Sequence, residues 1–269
     1  SGYNILQSAT TGSNNTFLGD ESGYTNTTGT SNLFAGGSAG HNNTTGSDNV
    51  FLGGYAGFNN MEGNRNVFIG KTAGNQNFNG VENTAIGYAS GTGGANNIGS
   101  KNTFVGSNTG SQTNSHLSGE ASENTFIGHG AGTFNTIGST NTYIGYSSGN
   151  GLGEGFNNTF LGAFAGYDCT TGNDNVYIGY KTGFNATGDG NVFIGRQVGY
   201  DETGSNKLYI DNSNTTAPLI YGDFVKDSLA INGYATITGK STFNNTSNFN
   251  AVSNFYGTVN IKELLVIEE

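Results

Sequence analysis

The chain has little of what most folds rely on. Of its 269 residues one is proline, one is cysteine, one is methionine and none is tryptophan. A lone cysteine, Cys169, rules out an intrachain disulfide and a cysteine-based metal site. One proline beside 47 glycines excludes collagen, which needs abundant proline and glycine at every third place. Charge is scarce: 9 Lys and Arg against 19 Asp and Glu, a net −10. Spread this thinly and biased to acid, it argues against nucleic acid or an anionic membrane as partner, since both demand a basic patch. No apolar run approaches the roughly 20 residues of a spanning helix, so no membrane insertion is expected. The first residues, Ser-Gly, carry neither a methionine nor a signal peptide, which reads as a fragment or a processed product.

What the chain has instead is repetition. An N-x-F-x-G unit recurs with its Asn at 15, 32, 49, 66, 83, 102, 124, 141, 158, 175 and 191. The steps are 17, 17, 17, 17, 19, 22, 17, 17, 17 and 16. A near-fixed period this short means a solenoid, each unit one coil stacked on the next. With the Asn as position 1, glycine recurs at positions 5 and 9 and usually 15. Three glycines per unit would cost a helix about 1 kcal/mol each. Between them lie Thr, Val, Ile and Phe, which favour strands. The coil is therefore expected to be β, with glycines at its corners.

Position 3 is aromatic: Phe17, Phe34, Phe51, Phe68, Phe104, Phe126, Tyr143, Phe160, Tyr177 and Phe193, with Ala85 the exception. Position 4 is aliphatic, from Leu18 to Ile194. Adjacent strand residues face opposite sides, so both faces of this strand are apolar. A thin coil has one interior, filled by one ladder with the small residues of position 8 (Ala39, Ala56, Ala73, Ala131, Ala165). The other ladder would be an apolar stripe larger than a soluble monomer exposes, and copies of the same stripe around an axis would cover it. The alternative is a wide coil that takes in both ladders. Phe17, Phe51, Phe68, Phe104, Phe126, Phe160 and Phe193 are thus expected in core or trimer contacts.

The N-[TV]-F-[IL]-G-x-x-[AS]-G unit resembles the repeats of trimeric autotransporter adhesin heads. It is more similar still to glycine-rich repeats in tail-fibre-like proteins of phages and contractile injection systems. The adhesin resemblance implies a left-handed β-roll with three rolls about an axis, although the period here is 17 and not about 14. The stretch from 206 to 224, holding Pro218, also looks like an element of those fibre-like proteins.

The expected organisation is a lead-in (1–14), the eleven-repeat β-solenoid (15–205), a β transition segment (206–230) and a shaft (231–269). In the shaft Ile231, Ile237, Phe243, Phe249, Phe255, Ile261 and Ile267 fall six apart. Six residues turn a helix by about 600°, so no helical face holds them, whereas an even period keeps them on one face of an extended chain. One such line has no core of its own; three chains supply one, and this resembles the triangular β-helix shafts of phage tail fibres. Fibre proteins of this kind often carry a C-terminal intramolecular chaperone that cuts itself off, and an end at Glu269 would fit its removal.

No catalytic constellation emerges, and no cofactor or metal is expected. His41, His116 and His129 lack partners at metal spacing. The Gly91–Gly94 run lacks the Lys and helix of a phosphate loop. Neighbouring carboxylates such as Asp201 and Glu202 sit in turns. The Thr pairs at 27–28, 44–45 and 170–171 hint at an ice-binding plane, but Met61-Glu62 and Phe78-Asn79 break it. The reading is a homotrimeric receptor-binding fibre, extracellular on a phage or injection-system particle, that takes a cell-surface glycan or protein; the alternative is a bacterial surface adhesin. Receptor contacts are expected at His116, Leu117 and Glu120, in the longer insertion, or on the coil-edge aromatics Tyr24, Phe58, Tyr167, Phe184 and Tyr200.

Overall fold

The computed structural model describes residues 11–93, 99–112, 121–151, 153–169, 171–236 and 238. The protein is an all-β solenoid of about eleven coils, and no helix occurs among the described residues. Each coil contributes one three-residue strand: β1 (Thr16–Leu18), β2 (Leu33–Ala35), β3 (Val50–Leu52), β4 (Val67–Ile69), β5 (Thr84–Ile86), β6 (Thr103–Val105), β7 (Thr125–Ile127), β8 (Thr142–Ile144), β9 (Thr159–Leu161), β10 (Val176–Ile178) and β11 (Val192–Ile194). Successive strands pair in parallel, like on like: Phe34 with Phe51, Phe51 with Phe68. The register survives the irregular steps, with Ala85 opposite Phe104 and Phe104 opposite Phe126. Extra residues leave the ladder as loops.

Pairing continues around the coil. In the third coil Tyr55 N–H reaches Gly37 O at 2.9 Å, Gly57 N–H reaches Ala73 O at 2.9 Å and Arg65 N–H reaches Ser47 O at 3.0 Å. Two glycines allow this closeness. A Cβ on Gly53 (φ 137°) would lie 2.6 Å from the Gly70 carbonyl, and one on Gly57 (φ 57°) 2.4 Å from the Phe51 ring. Position 7 and the residue before each anchor also take left-handed backbone, mostly without glycine, as in Tyr55 (φ 59°) and Arg65 (φ 56°). Their inter-coil hydrogen bonds offset the strain.

The interior is one aromatic column. Phe34, Phe51, Phe68, Phe104, Phe126, Tyr143, Tyr177 and Phe193 are fully buried. Neighbouring rings stack at 4.6–5.0 Å from Phe34 to Phe68 and from Phe126 to Phe193. Each such contact adds about 0.5–1.5 kcal/mol beyond burial. Ala85 leaves a gap, and Phe104 fills it: its ring lies against Gly91 of the coil before and tilts 33° from Phe126. The position-3 residues named as core or trimer contacts are therefore core residues, shut inside one chain, apart from the half-buried Phe17 at the first coil. Position 4 points outward instead, with Leu18 54%, Ile127 38% and Leu161 44% exposed. The coil is thin and does not take in both ladders.

Two polar columns complete the interior. The anchor Asn donates Nδ2–H to a carbonyl of its own coil, except that Asn175 donates to Asn158 Oδ1, and accepts the backbone N–H of the next anchor place on Oδ1. For Asn66 these are Gly80 O at 2.9 Å and Asn83 N at 2.9 Å. A second column at position 12 passes amide to amide through Asn26, Asn43, Asn60 and Asn77.

The transition segment begins as one more rung. β12 (Lys207–Ile210) pairs in parallel with β11, placing Tyr209 opposite Phe193. β13 (Ile220–Asp223) and β14 (Ser228–Ile231) then fold back antiparallel. Lys207 stands at the anchor place. Its N–H takes the Asn191 amide oxygen at 2.8 Å, and its ammonium turns to Asp223 at 2.8 Å, so the Asn relay stops there. The two reversed strands cover the edge that a parallel ladder would leave open. Ile231, the first hexad residue, pairs with Ile220 in β14. Ile237, Phe243, Phe249, Phe255, Ile261 and Ile267 lie outside the described residues.

Candidate functional site

Position 10 lies on the turn side of the coil, one residue past the buried glycine of position 9. It holds Tyr24, His41, Phe58 in the first coils and Tyr167, Phe184, Tyr200 in the last. Because coils repeat in register, equal positions stack. Tyr24 meets His41 and His41 meets Phe58, each at 4.9 Å. Tyr167 meets Phe184 at 4.9 Å, and Phe184 meets Tyr200 at 4.8 Å with the rings 4° from parallel. The five coil-edge aromatics expected from sequence thus form two half-buried stacks, one toward each end. The polar middle of the column, from Asn75 to Asn150, keeps them apart.

The second stack belongs to a wider aromatic surface. Position 6 brings His129, Tyr146 and Tyr180, and position 7 brings Phe164 and Lys181. Phe164 packs edge-on against Tyr146 (5.1 Å), Tyr167 (5.4 Å) and Tyr180 (6.1 Å). The Lys181 ammonium lies 5.3–5.8 Å from the Phe164, Tyr180 and Phe184 ring centres, within cation–π range. Tyr146 and Tyr180 remain about half exposed, at 51% and 43%. Sequence reading missed positions 6 and 7; the rings of His129, Tyr146 and Tyr180, in register at position 6 with Ala163 the one interruption, were the available signal.

Where this stack ends there is a cavity of about 360 Å³. Gly199, Tyr200, Asp201, Glu202, Tyr209, Asn214, Thr215 and Thr216 line it. The last full coil, β12 and the loop after β12 each supply part of the wall. That loop is tied in place by Asp211, whose carboxylate accepts the Asn212 N–H, the Ser213 hydroxyl and the Leu219 N–H, all at 2.7 Å. These bonds, the Ser213 hydroxyl foremost, hold the Asp211 carboxyl below the usual carboxylate range. Glu202 accepts the Tyr209 hydroxyl at 2.5 Å and the Gly204 N–H at 2.7 Å. Burial and then Glu202 push the Tyr209 phenol up, so it stays a neutral donor.

The reactive groups of the interior are closed off. Cys169 is buried, its thiol 3.2 Å from Gly183 O, and burial pushes its pKa up, the opposite of an activated thiol. Among the described residues no cluster of His, Cys, Asp and Glu is placed to hold a metal. No helix among them is long and apolar enough to cross a membrane. His116, Leu117 and Glu120 fall in 113–120, outside the described residues. The chain matches no protein-family model, no curated protein and no solved structure.

Proposed function

We propose that this chain is the solenoid body of a homotrimeric attachment fibre, borne outside the cell on a phage or injection-system particle, and that it binds a cell-surface receptor. The observation that carries the reading is the outer face of the parallel sheet. Positions 2 and 4 both point out, giving Val50 and Leu52, Val67 and Ile69, Thr125 and Ile127, Thr142 and Ile144 in unbroken register. At about 4.8 Å per rung the face runs about 50 Å, and at about 10 Å wide it presents about 500 Å². That is at the upper end of the largest patch a monomer shows. Position 4 is aliphatic in every rung and position 2 is Val, Leu or Thr, and both repeat along the axis of the stack, so a copy of this chain can meet it rung for rung. The sequence period of the shaft asks for three chains independently. The aromatic surface and the cavity are built mainly from positions 6 to 11 of the coil and the loop after β12, and not from the strand residues of positions 2 and 4. Their carboxylates serve as hydrogen-bond acceptors to neighbouring groups, which suits binding and not proton transfer.

Sedimentation equilibrium on the chain is expected to give about three times 27.8 kDa. Ile127→Lys and Leu161→Lys place charge on the outer face, where the coil itself has no need of the apolar side chain. These variants should fold, keep the same β signal and sediment as monomers. A wild-type chain that remains monomeric at high concentration would overturn the proposal.

A further inference from the structure

The stack of Tyr167, Phe184 and Tyr200 presents ring edges along its length, because each inner face is covered by the next ring. Tyr200 is different. Phe184 covers one of its faces, no ring lies against the other among the described residues, and the cavity begins at this residue. Beside it the lining holds Gly199, the Tyr209 ring, whose hydroxyl is tied to Glu202, and a polar set of mixed kind. Thr215 and Thr216 bring hydroxyls, Asn214 brings an amide, and Asp201 brings a carboxylate. Asn185 occupies one oxygen of Asp201 at 2.6 Å, and the described hydrogen bonds leave the other open. Glu202 has both oxygens engaged by Tyr209 and Gly204, so it serves as wall.

We propose that this cavity binds one hexose ring of a neutral glycan, with the apolar C–H face of the sugar on Tyr200 and its hydroxyls on Asp201, Asn214, Thr215 and Thr216. A pyranose has an apolar face and a rim of hydroxyls that both donate and accept, which matches the Tyr200 ring beside hydroxyl, amide and carboxylate groups. The volume falls at the small end of ligand pockets, about 300–1,000 Å³, and suits a sugar ring better than a protein segment. An organic cation is the competing chemistry for an aromatic beside carboxylates. Cation sites gather several ring faces around the charge; here Tyr200 and Tyr209 are the two aromatic residues among eight, and hydroxyl, amide and carboxylate groups make up most of the rest. The loop wall is fixed beforehand by Asp211, so ordering it does not weaken binding. This inference names the receptor class for the attachment reading and rests on that reading for its biological use.

The test is capture of the soluble 269-residue chain on an array of neutral hexose-terminated glycans, followed by saturation-transfer NMR with the best of them. Saturation should pass from tyrosine ring protons to the sugar C–H protons. Tyr200→Ala should weaken binding about tenfold or more, and Asp201→Asn several-fold. Thr216→Tyr, at an exposed residue, should fill the mouth and abolish binding with the far-UV spectrum unchanged. Tyr24→Ala, in the first stack, should leave it intact. Capture of no arrayed neutral glycan would overturn the proposal. So would undiminished binding by both folded Tyr200→Ala and Thr216→Tyr, or displacement of the sugar by tetramethylammonium at equal concentration. Glycan capture does not depend on sedimentation behaviour, so this inference and the trimer can fail separately.

Discussion

Asn66→Ala tests the polar interior. The Asn66 side chain is fully buried; its Nδ2 donates to Gly80 O at 2.9 Å and to Asn60 Oδ1 at 3.3 Å, and its Oδ1 accepts the Asn83 N–H at 2.9 Å. Alanine removes all three bonds and strands one buried backbone group, the Asn83 N–H; the Gly80 carbonyl keeps the Asn77 amide at 2.9 Å. An orphaned buried group costs about 1–3 kcal/mol, so the loss should be at least about 1–3 kcal/mol. Against a whole-domain stability of about 5–15 kcal/mol that is a large fraction. Met61→Ala, in the coil before and 41% exposed, should change stability by less than about 0.5 kcal/mol. Urea unfolding followed by circular dichroism reads the difference. Because repeat stacks open locally, hydrogen exchange at the Asn83 amide reads it at the site, and this amide should exchange much faster in Asn66→Ala. Asn66→Asp adds a sign. It keeps an acceptor for Asn83 but sets a carboxylate oxygen against the Gly80 carbonyl. Burial raises the folded pKa of that acid, so the variant should approach wild type below the ordinary carboxylate range and lose stability as pH rises through it. If Asn66→Ala costs under about 0.5 kcal/mol and leaves Asn83 exchange unchanged, the Asn column is not what binds coil to coil.

Phe126→Asp puts an unpaired carboxylate into the closed aromatic column and should cost several kcal/mol or prevent folding, while Met61→Asp at an exposed coil position should do little; equal tolerance in thermal melts would contradict the register. The Tyr143 hydroxyl is buried without a hydrogen-bond partner among the described residues, since the nearby Asn158 amide already gives its protons to Asn141 Oδ1 and Gly172 O. Tyr143→Phe should therefore raise stability by up to about 1–2 kcal/mol, seen as a higher melting temperature. Burial, above all, pushes the Tyr143 and Tyr177 phenols well above their ordinary value. Their stabilising contribution is complete below the ordinary tyrosine pKa and falls as pH climbs above it, because only the unfolded chain ionises there; both should stay silent in a phenolate absorbance titration until the protein unfolds. Lys207, by its hydrogen bond, holds the Asp223 carboxyl down, so that pair should stabilise the cap above the ordinary carboxylate range and weaken as pH falls through it, with Lys207→Met abolishing this acid-sensitive step.

Period and pleat alone specified the solenoid and its register, and put positions 3 and 4 on opposite faces. They did not specify which apolar ladder is inside. That depends on the coil's width, which the corner residues set, and those corners include Tyr55, Arg65, Phe164 and Lys181, side chains with no preference for left-handed backbone. The anchor Asn was legible as a marker and not as a structural part, although its constancy in eleven units was the signal that it is buried and bonded. The two aromatic stacks follow from position 10 read down the repeats. The cavity does not, because its walls come from three elements, one of them a loop outside the period. Tyr209 was hidden in a segment that breaks the glycine pattern while keeping the strand.

The relay of anchor amides makes every coil interchangeable. Each presents the same acceptors on one edge and the same donors on the other, whatever its loops, and coils of 16, 17, 19 and 22 residues all stack. A gene that gains or loses a multiple of one coil by replication slippage still encodes a chain whose ends fit. Lys207 and the reversed strands remain as a fixed terminus, and whatever is mounted there is carried in or out by about 4.8 Å per coil. Reach is thus a quantity that selection can adjust in small equal steps without redesigning either the interior or the tip.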